Sequence, residues 1–176
     1  MEELLLMKAK KGDEGAFEQL IELHLKTVEK FAFQLGVSPF AVEDISQEVF
    51  IKVYRFLHKH DRGKFTTWLY SITLNVVRDH YRKEQRLRKK ALELQHQSPE
   101  TAYVEEHFDE EARALHEMIQ QLDDKYKIPI VLHYFHDQTY QEIAQVLGIT
   151  EGAVKTRMLR AKQQLKAKYE KVGEQL

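Results

Sequence analysis

The chain has no cysteine, three prolines, seven glycines and one tryptophan in 176 residues. Without cysteine there is neither a disulfide framework nor a thiolate metal site. No apolar run approaches the roughly 18 residues that a membrane helix needs. The Leu4-Leu5-Leu6-Met7 cluster follows Glu2 and Glu3, whereas a secretory signal opens on basic residues. A soluble, cytoplasmic protein is the expectation. Strand signals are nearly missing, and so are a Gly-rich phosphate loop, G-x-S-x-G and H-E-x-x-H, the usual marks of nucleotide, acyl-transfer and metalloprotease chemistry.

The formal net charge is only −1, which by itself argues against a polyanion as partner. The distribution argues the other way. From residue 64 to residue 90, eight cations face two anions, a local net of +6, and from 150 to 171 seven face two, a net of +5. Between these patches lie Glu100, Glu105, Glu106, Asp109, Glu110 and Glu111. Two basic patches flanking an acidic linker suggest two contacts on one nucleic acid.

Helical periodicity fills the rest. Asp13 caps a helix with apolar positions Phe17, Leu20, Ile21, His24, Val28, Phe31, Ala32 and Leu35, which Gly36 ends. Ser38-Pro39 restarts a helix whose inner face is Val42, Ile45, Val49, Val53, Phe56 and Leu57. A polar loop from His58 to Lys64 follows. Thr66 or Thr67 starts a third long helix with Trp68, Leu69, Ile72, Val76 and Tyr81 inward. The segment from Arg88 to about Arg113, with Ser98-Pro99, predicts a flexible linker with some helix at its ends. A second helical unit begins at Ala114, and Asp123-Asp124 caps a helix reaching Phe135, with Pro129 past the tolerated first turn.

The C-terminal third carries the sharpest pattern. Thr139 and Glu142 form a capping box that starts a helix at Tyr140. Ile143, Ala144 and Leu147 are its apolar face. Gly148 suits a left-handed turn, and Thr150 caps the next helix, with Val154 and Met158 inward and Lys155, Arg157, Arg160 and Lys162 outward. This predicts a helix-turn-helix over residues 140–160, a means of laying a helix in the DNA major groove. The blander alternative is a helical hairpin with a solvated basic face.

Two features stand out in the first unit. Asp44, Gln47, Glu48 and Phe50-Ile51 lie on or beside the face of their helix away from the core, and an exposed Phe beside carboxylates suits a protein-binding patch, or else a normal solvated face. Asn75, Asp79, Arg82 and Arg86 recur at three and four and share a face able to read bases and hold phosphates, or to pair among themselves. The neighbouring aromatics Phe65, Trp68 and Tyr70 suit stacking on unpaired bases, although for Trp68 the core is the preferred reading. The pairs His58 with His60 and His133 with His136 lack the cysteines and carboxylates of a zinc site, so no catalytic residue, metal or cofactor is expected.

Three blocks, Glu43-Asp44-Ile45-Ser46-Gln47-Glu48-Val49-Phe50, Phe65-Thr66-Thr67-Trp68-Leu69-Tyr70-Ser71-Ile72 with Asn75 and Asp79, and Val154-Lys155-Thr156-Arg157 with Arg160-Ala161, occur in this order. In order and spacing the chain resembles the extracytoplasmic-function (ECF) group of bacterial RNA polymerase sigma factors, from about Gly12 to Lys168. The resemblance implies an all-α fold with a sigma-2-like domain over residues 1–90, an acidic linker over 91–112 and a sigma-4-like helix-turn-helix domain over 113–176. It implies a promoter-specificity subunit without catalysis of its own. Asp44, Gln47, Glu48, Phe50, Ile51 and Lys52 would bind core RNA polymerase, on the clamp helices of its beta-prime subunit, with the beta subunit a further contact. His60, Arg62, Lys64, Phe65, Thr66, Trp68, Asn75, Asp79, Arg82 and Arg86 would recognise and melt the −10 element, where a base is flipped into a pocket near the His58 to Lys64 loop. Thr150, Glu151, Gly152, Lys155, Thr156, Arg157 and Arg160 would read the −35 element of promoter DNA. The linker would thread the polymerase channel. A separate anti-sigma protein, in this family often membrane-anchored, would cover the polymerase-binding surfaces of a free monomer. The C-terminal half alone also fits an autonomous repressor or activator, a reading under which the first two blocks have no role.

Overall fold

The computed structural model describes residues 1–94 and 109–173, with side chains through residue 92 of the first stretch. Among the described residues there are eight α-helices, one 3-10 turn and no strand: α1 Glu2–Lys10, α2 Glu14–Gln34, α3 Pro39–Phe56, the turn Leu57–Lys59, α4 Phe65–Leu94, α5 Glu110–Gln120, α6 Asp124–His136, α7 Tyr140–Leu147 and α8 Glu151–Gly173. They form two compact units, one from Met1–Phe33 with α3 and α4, the other from α5 to α8.

Local chemistry sets the helix ends of the first unit. Asp13 Oδ1 accepts from the Ala16 amide at 2.9 Å, closing the N-terminus of α2. Pro39 opens α3, while the Ser38 side chain makes no capping hydrogen bond. The core is Leu20, Val28, Phe31 and Ala32 of α2, Ile45, Val49 and Val53 of α3, and Leu69, Leu74, Val76 and Val77 of α4. Each large aliphatic or aromatic side chain so buried contributes about 1.5–3 kcal/mol. Phe31 meets Tyr70 edge-on at 5.1 Å, and the buried Thr73 hydroxyl donates to the Leu69 carbonyl at 2.8 Å. Because α4 packs on both α2 and α3, its buried face is wider than one stripe. Phe65, Tyr70, Thr73, Leu74 and Val77 are inside, whereas Trp68, Ile72 and Tyr81 of the expected stripe are only half-buried. Phe56, expected inside, lies at the surface beneath the Lys59 ammonium at 5.5 Å, since α3 ends there and the chain turns away.

In the second unit α6 is buried from Tyr126 to Leu132, and α6 and α7 both pack on α8. A helix apolar on nearly all sides belongs at the centre of its unit. Pro129 lies within α6 and leaves the Lys125 carbonyl without its helical donor. Asp137 ends α6 in the left-handed conformation, φ 51°. Ile119, Leu122, Ile143, Val146, Val154, Met158 and Ala161 complete the core. Helix occupies both ends of the segment read as a linker: α4 continues to Leu94, and α5 starts at Glu110, ahead of the expected Ala114. Glu110 and Glu111, read as linker charge, sit in the first turn of α5, where the helix dipole favours anions. The Ser98-Pro99 segment and Glu100, Glu105 and Glu106 fall outside the described residues.

Candidate nucleic-acid and partner interfaces

The helix-turn-helix is built as its capping residues dictate. Thr139 Oγ1 accepts from the Glu142 amide at 3.2 Å, and the Glu142 carboxylate accepts from the Thr139 amide at 2.8 Å. Gly148 takes φ 64° and ψ 36° as the C-cap of α7, and Thr150 Oγ1 accepts from the Ala153 amide at 3.1 Å. Ile143, Val154 and Met158 lock α7 onto α8. Val146 is buried where Leu147 was expected, and Leu147 is half-buried.

This leaves Glu151, Gly152, Lys155, Thr156 and Arg160 exposed along α8. Thr156 Oγ1 donates back to the Gly152 carbonyl at 3.1 Å, and Lys155 sits 3.7 Å from Glu151. Arg157 is half-buried. Lys162 is held on Tyr134, 5.8 Å over its ring, and a hydrogen bond to the Tyr134 hydroxyl pushes its pKa above the ordinary lysine value. Leu159 was missed: it is 59% exposed among Lys155, Thr156 and Arg160. Its place off the Val154, Met158, Ala161 stripe is readable from helical spacing, and an apolar tip there suits a thymine methyl.

On α4, Asn75, Arg82 and Arg86 are exposed and share a face. Asp79 is tied in, accepting from Arg82 at 3.2 Å and lying 3.7 Å from Lys52. Ahead of them, the loop carries Arg62 and Lys64 at the surface and turns at Gly63, φ 81°. His60 stacks on Trp68, centroids 4.8 Å apart and planes 19° apart. Burial, then the Lys10 charge, pushes the His60 pKa below its ordinary value, against the Gly63 backbone and Asp61. Phe65 is buried, 5.9 Å from Trp68, so of the two rings Trp68 is the more accessible. Thr66 is half-buried.

The α3 patch differs from expectation chiefly at Phe50. Phe50 is 6% exposed and forms the floor of a groove between α2 and α3, while Ile51 stands out at 58%. The groove, about 970 Å³, takes Phe17 and Ile21 from α2 and Gln47, Ile51 and Tyr54 from α3. Glu14, Glu18, Glu29 and Glu43 also line it, with Arg55. Asp44 and Gln47 are exposed. Lys52 pairs with Glu48 at 3.6 Å and with Asp79, so it braces α3 against α4. The α2 half of the groove escaped sequence reasoning because its residues are about 30 positions from α3. Among the described residues no three His, Asp or Glu side chains gather as a metal site, and no helix is long and apolar enough to cross a membrane.

An all-helical pair of units, one a helix-turn-helix with a basic second helix, defines a nucleic-acid-binding regulator. Residues 20–87 match the family model for sigma-70 region 2, and residues 112–165 match that for sigma-70 region 4. The ECF RNA polymerase sigma factor SigW of Bacillus subtilis is 30% identical, the alignment covering 92% of each chain. The ECF RNA polymerase sigma factor SigE of Mycolicibacterium smegmatis is 29% identical over 88% of this chain, which spans 63% of that relative's length. Among solved structures, CnrH in complex with the cytosolic domain of CnrY is similar with a TM-score of 0.73 at 26% identity, covering 95% of this chain and 96% of that one. The chain belongs to the ECF group of RNA polymerase sigma factors, which direct polymerase to promoters as initiation factors rather than as catalysts.

Proposed function

We propose that the chain joins core RNA polymerase through the α2–α3 groove and recognises promoters at two places. The observation that carries this reading is the pair of separate polar faces on one chain: Asn75, Arg82 and Arg86 on α4, and Lys155, Thr156 and Arg160 on α8. The α8 face, with Glu151 and Gly152 at its start, enters the major groove at the −35 element. Arg160 and Lys155 contact base edges or phosphates, and the Thr150 cap orients the helix start. The α4 face, with Arg62 and Lys64, follows the −10 strand as it opens, and Trp68 with His60 offers a stacking surface to an unpaired base. Asp44, Gln47 and Ile51 contact the clamp helices of the beta-prime subunit. The glutamates lining the groove favour a basic partner surface.

The residues 91–112 act as the connection between the two promoter-reading domains, and the protein works in the cytoplasm. CnrH binds the cytosolic domain of CnrY. By analogy an inhibitory protein occupies the groove here and competes with polymerase. The test is run-off transcription with core RNA polymerase and a genomic fragment library, with and without the protein. Discrete new transcripts sharing −35 and −10 elements support the reading. No new transcripts, together with footprints by the protein alone, move it to an autonomous regulator.

A further inference from the structure

Helix α1 buries none of its residues, so it adds little to the core. It is held instead by polar ties. Lys10 Nζ donates to the His60 carbonyl, and Glu2 Oε1 lies 3.3 Å from Nε2 of the buried His24. That histidine nitrogen makes no hydrogen bond, and its ring packs on Phe65 at 5.2 Å. So anchored, α1 closes one side of a pocket of about 580 Å³, whose other side is the loop from His60 to Thr66. Glu2, Glu3, Leu6, Met7 and Lys10 are the α1 contribution, all on one helix face.

We infer that α1 is a base-selecting wall of this pocket, its Glu2 and Glu3 carboxylates favouring an unstacked base that presents an amino group. The inference rests on the reading that this loop and α4 hold the −10 strand. An unpaired base entering beside the His60–Trp68 stack gains stacking whatever its identity. Selection has to come from the polar wall. An ionised carboxylate only accepts hydrogen bonds. Cytosine N4 and adenine N6 donate, whereas the thymine O4 at the same edge is an acceptor and would face the carboxylate lone pairs. The same negative charge disfavours a strand that enters without making that bond. Gln at positions 2 and 3 would both donate and accept, so it would admit thymine.

Trp68 is the sole tryptophan and stacks on His60, which lines the pocket, so its emission reports entry. The full chain is titrated with the hexanucleotides dA6, dC6 and dT6. The wild type is expected to bind dA6 and dC6 about fivefold or more tighter than dT6, the scale of one hydrogen-bonded base contact. The Glu2→Gln, Glu3→Gln double variant is expected to bring dT6 up to the level of dC6. Glu3→Gln alone leaves the Glu2–His24 pair in place and is expected to halve the preference at least. Lys8→Gln, on α1 but outside the pocket, is expected to keep it. An unchanged preference in both Glu variants overturns the inference while leaving the −10 reading intact. No Trp68 response to any oligonucleotide overturns the −10 reading, and the inference with it.

Discussion

Replacing Gly148 with alanine isolates one term in the stability of the helix-turn-helix. Gly148 has φ 64° and ψ 36°, and a Cβ built there meets nothing within 4 Å. Steric collision with neighbours therefore contributes nothing, and the cost is the left-handed backbone itself, about 1–2 kcal/mol for an L-residue. The alanine also restricts the unfolded chain, which returns about 0.4–1 kcal/mol. The expected net destabilisation is about 1 kcal/mol. Asparagine tolerates this conformation better, so Gly148→Asn should cost less than Gly148→Ala. The assay is urea denaturation of the full chain followed by two probes. Circular dichroism at 222 nm sees both helical units, whereas emission from Trp68, the only tryptophan, sees the first alone. With a slope near 1 kcal/mol/M for a unit of this size, the variant should shift the second unit's transition by about 1 M and leave the Trp68 transition unmoved. A variant as stable as the wild type, or an asparagine variant worse than alanine, would refute the argument from backbone strain.

Three further outcomes are expected. Ile51→Asp should leave stability within about 0.5 kcal/mol and weaken binding to core polymerase by more than about 1 kcal/mol in a titration, whereas Phe50→Ala should cost about 3–5 kcal/mol of stability because that ring is buried. Arg160→Ala should weaken −35 binding by about 1–3 kcal/mol if the guanidinium reads a base, or lower the salt slope by about 1 if it holds a phosphate; unchanged affinity and slope would remove it from the interface. Burial and Lys10 lower the His60 pKa from 6.5, so below pH 6.5 the unfolded chain takes up that proton first. The stability this group contributes is present above 6.5 and is lost as pH falls from there through the folded value. Trp68 emission should accordingly titrate with a midpoint below 6.5 that His60→Gln abolishes, and a midpoint at or above 6.5 would contradict a half-buried ring whose desolvation disfavours the charged form.

The elements legible in the amino-acid order are those whose determinants lie within three or four residues of one another. Asp13 reaches Ala16, Thr139 and Glu142 cap each other, Thr150 reaches Ala153, and Gly148 needs only its missing side chain. That range covers the caps and turn of the helix-turn-helix and most of the exposed run on α8, with Arg157 half-buried and Leu159 exposed as the exceptions. It does not extend to which part of a long helix meets a neighbour. The packing of α4 on two helices widened its buried face and left Trp68 half-exposed. The packing of α3 likewise put Phe50 inside and Ile51 outside, two adjacent residues that belong to one patch on sequence alone. Lys52, expected at the partner surface, also reaches Asp79, 27 positions along the chain. The pocket beside His60 needs α1, whose Lys10 is 50 residues away. Such contacts depend on the angle and register at which helices cross, which are set by the sum of many side-chain volumes at once and leave no local mark on the sequence.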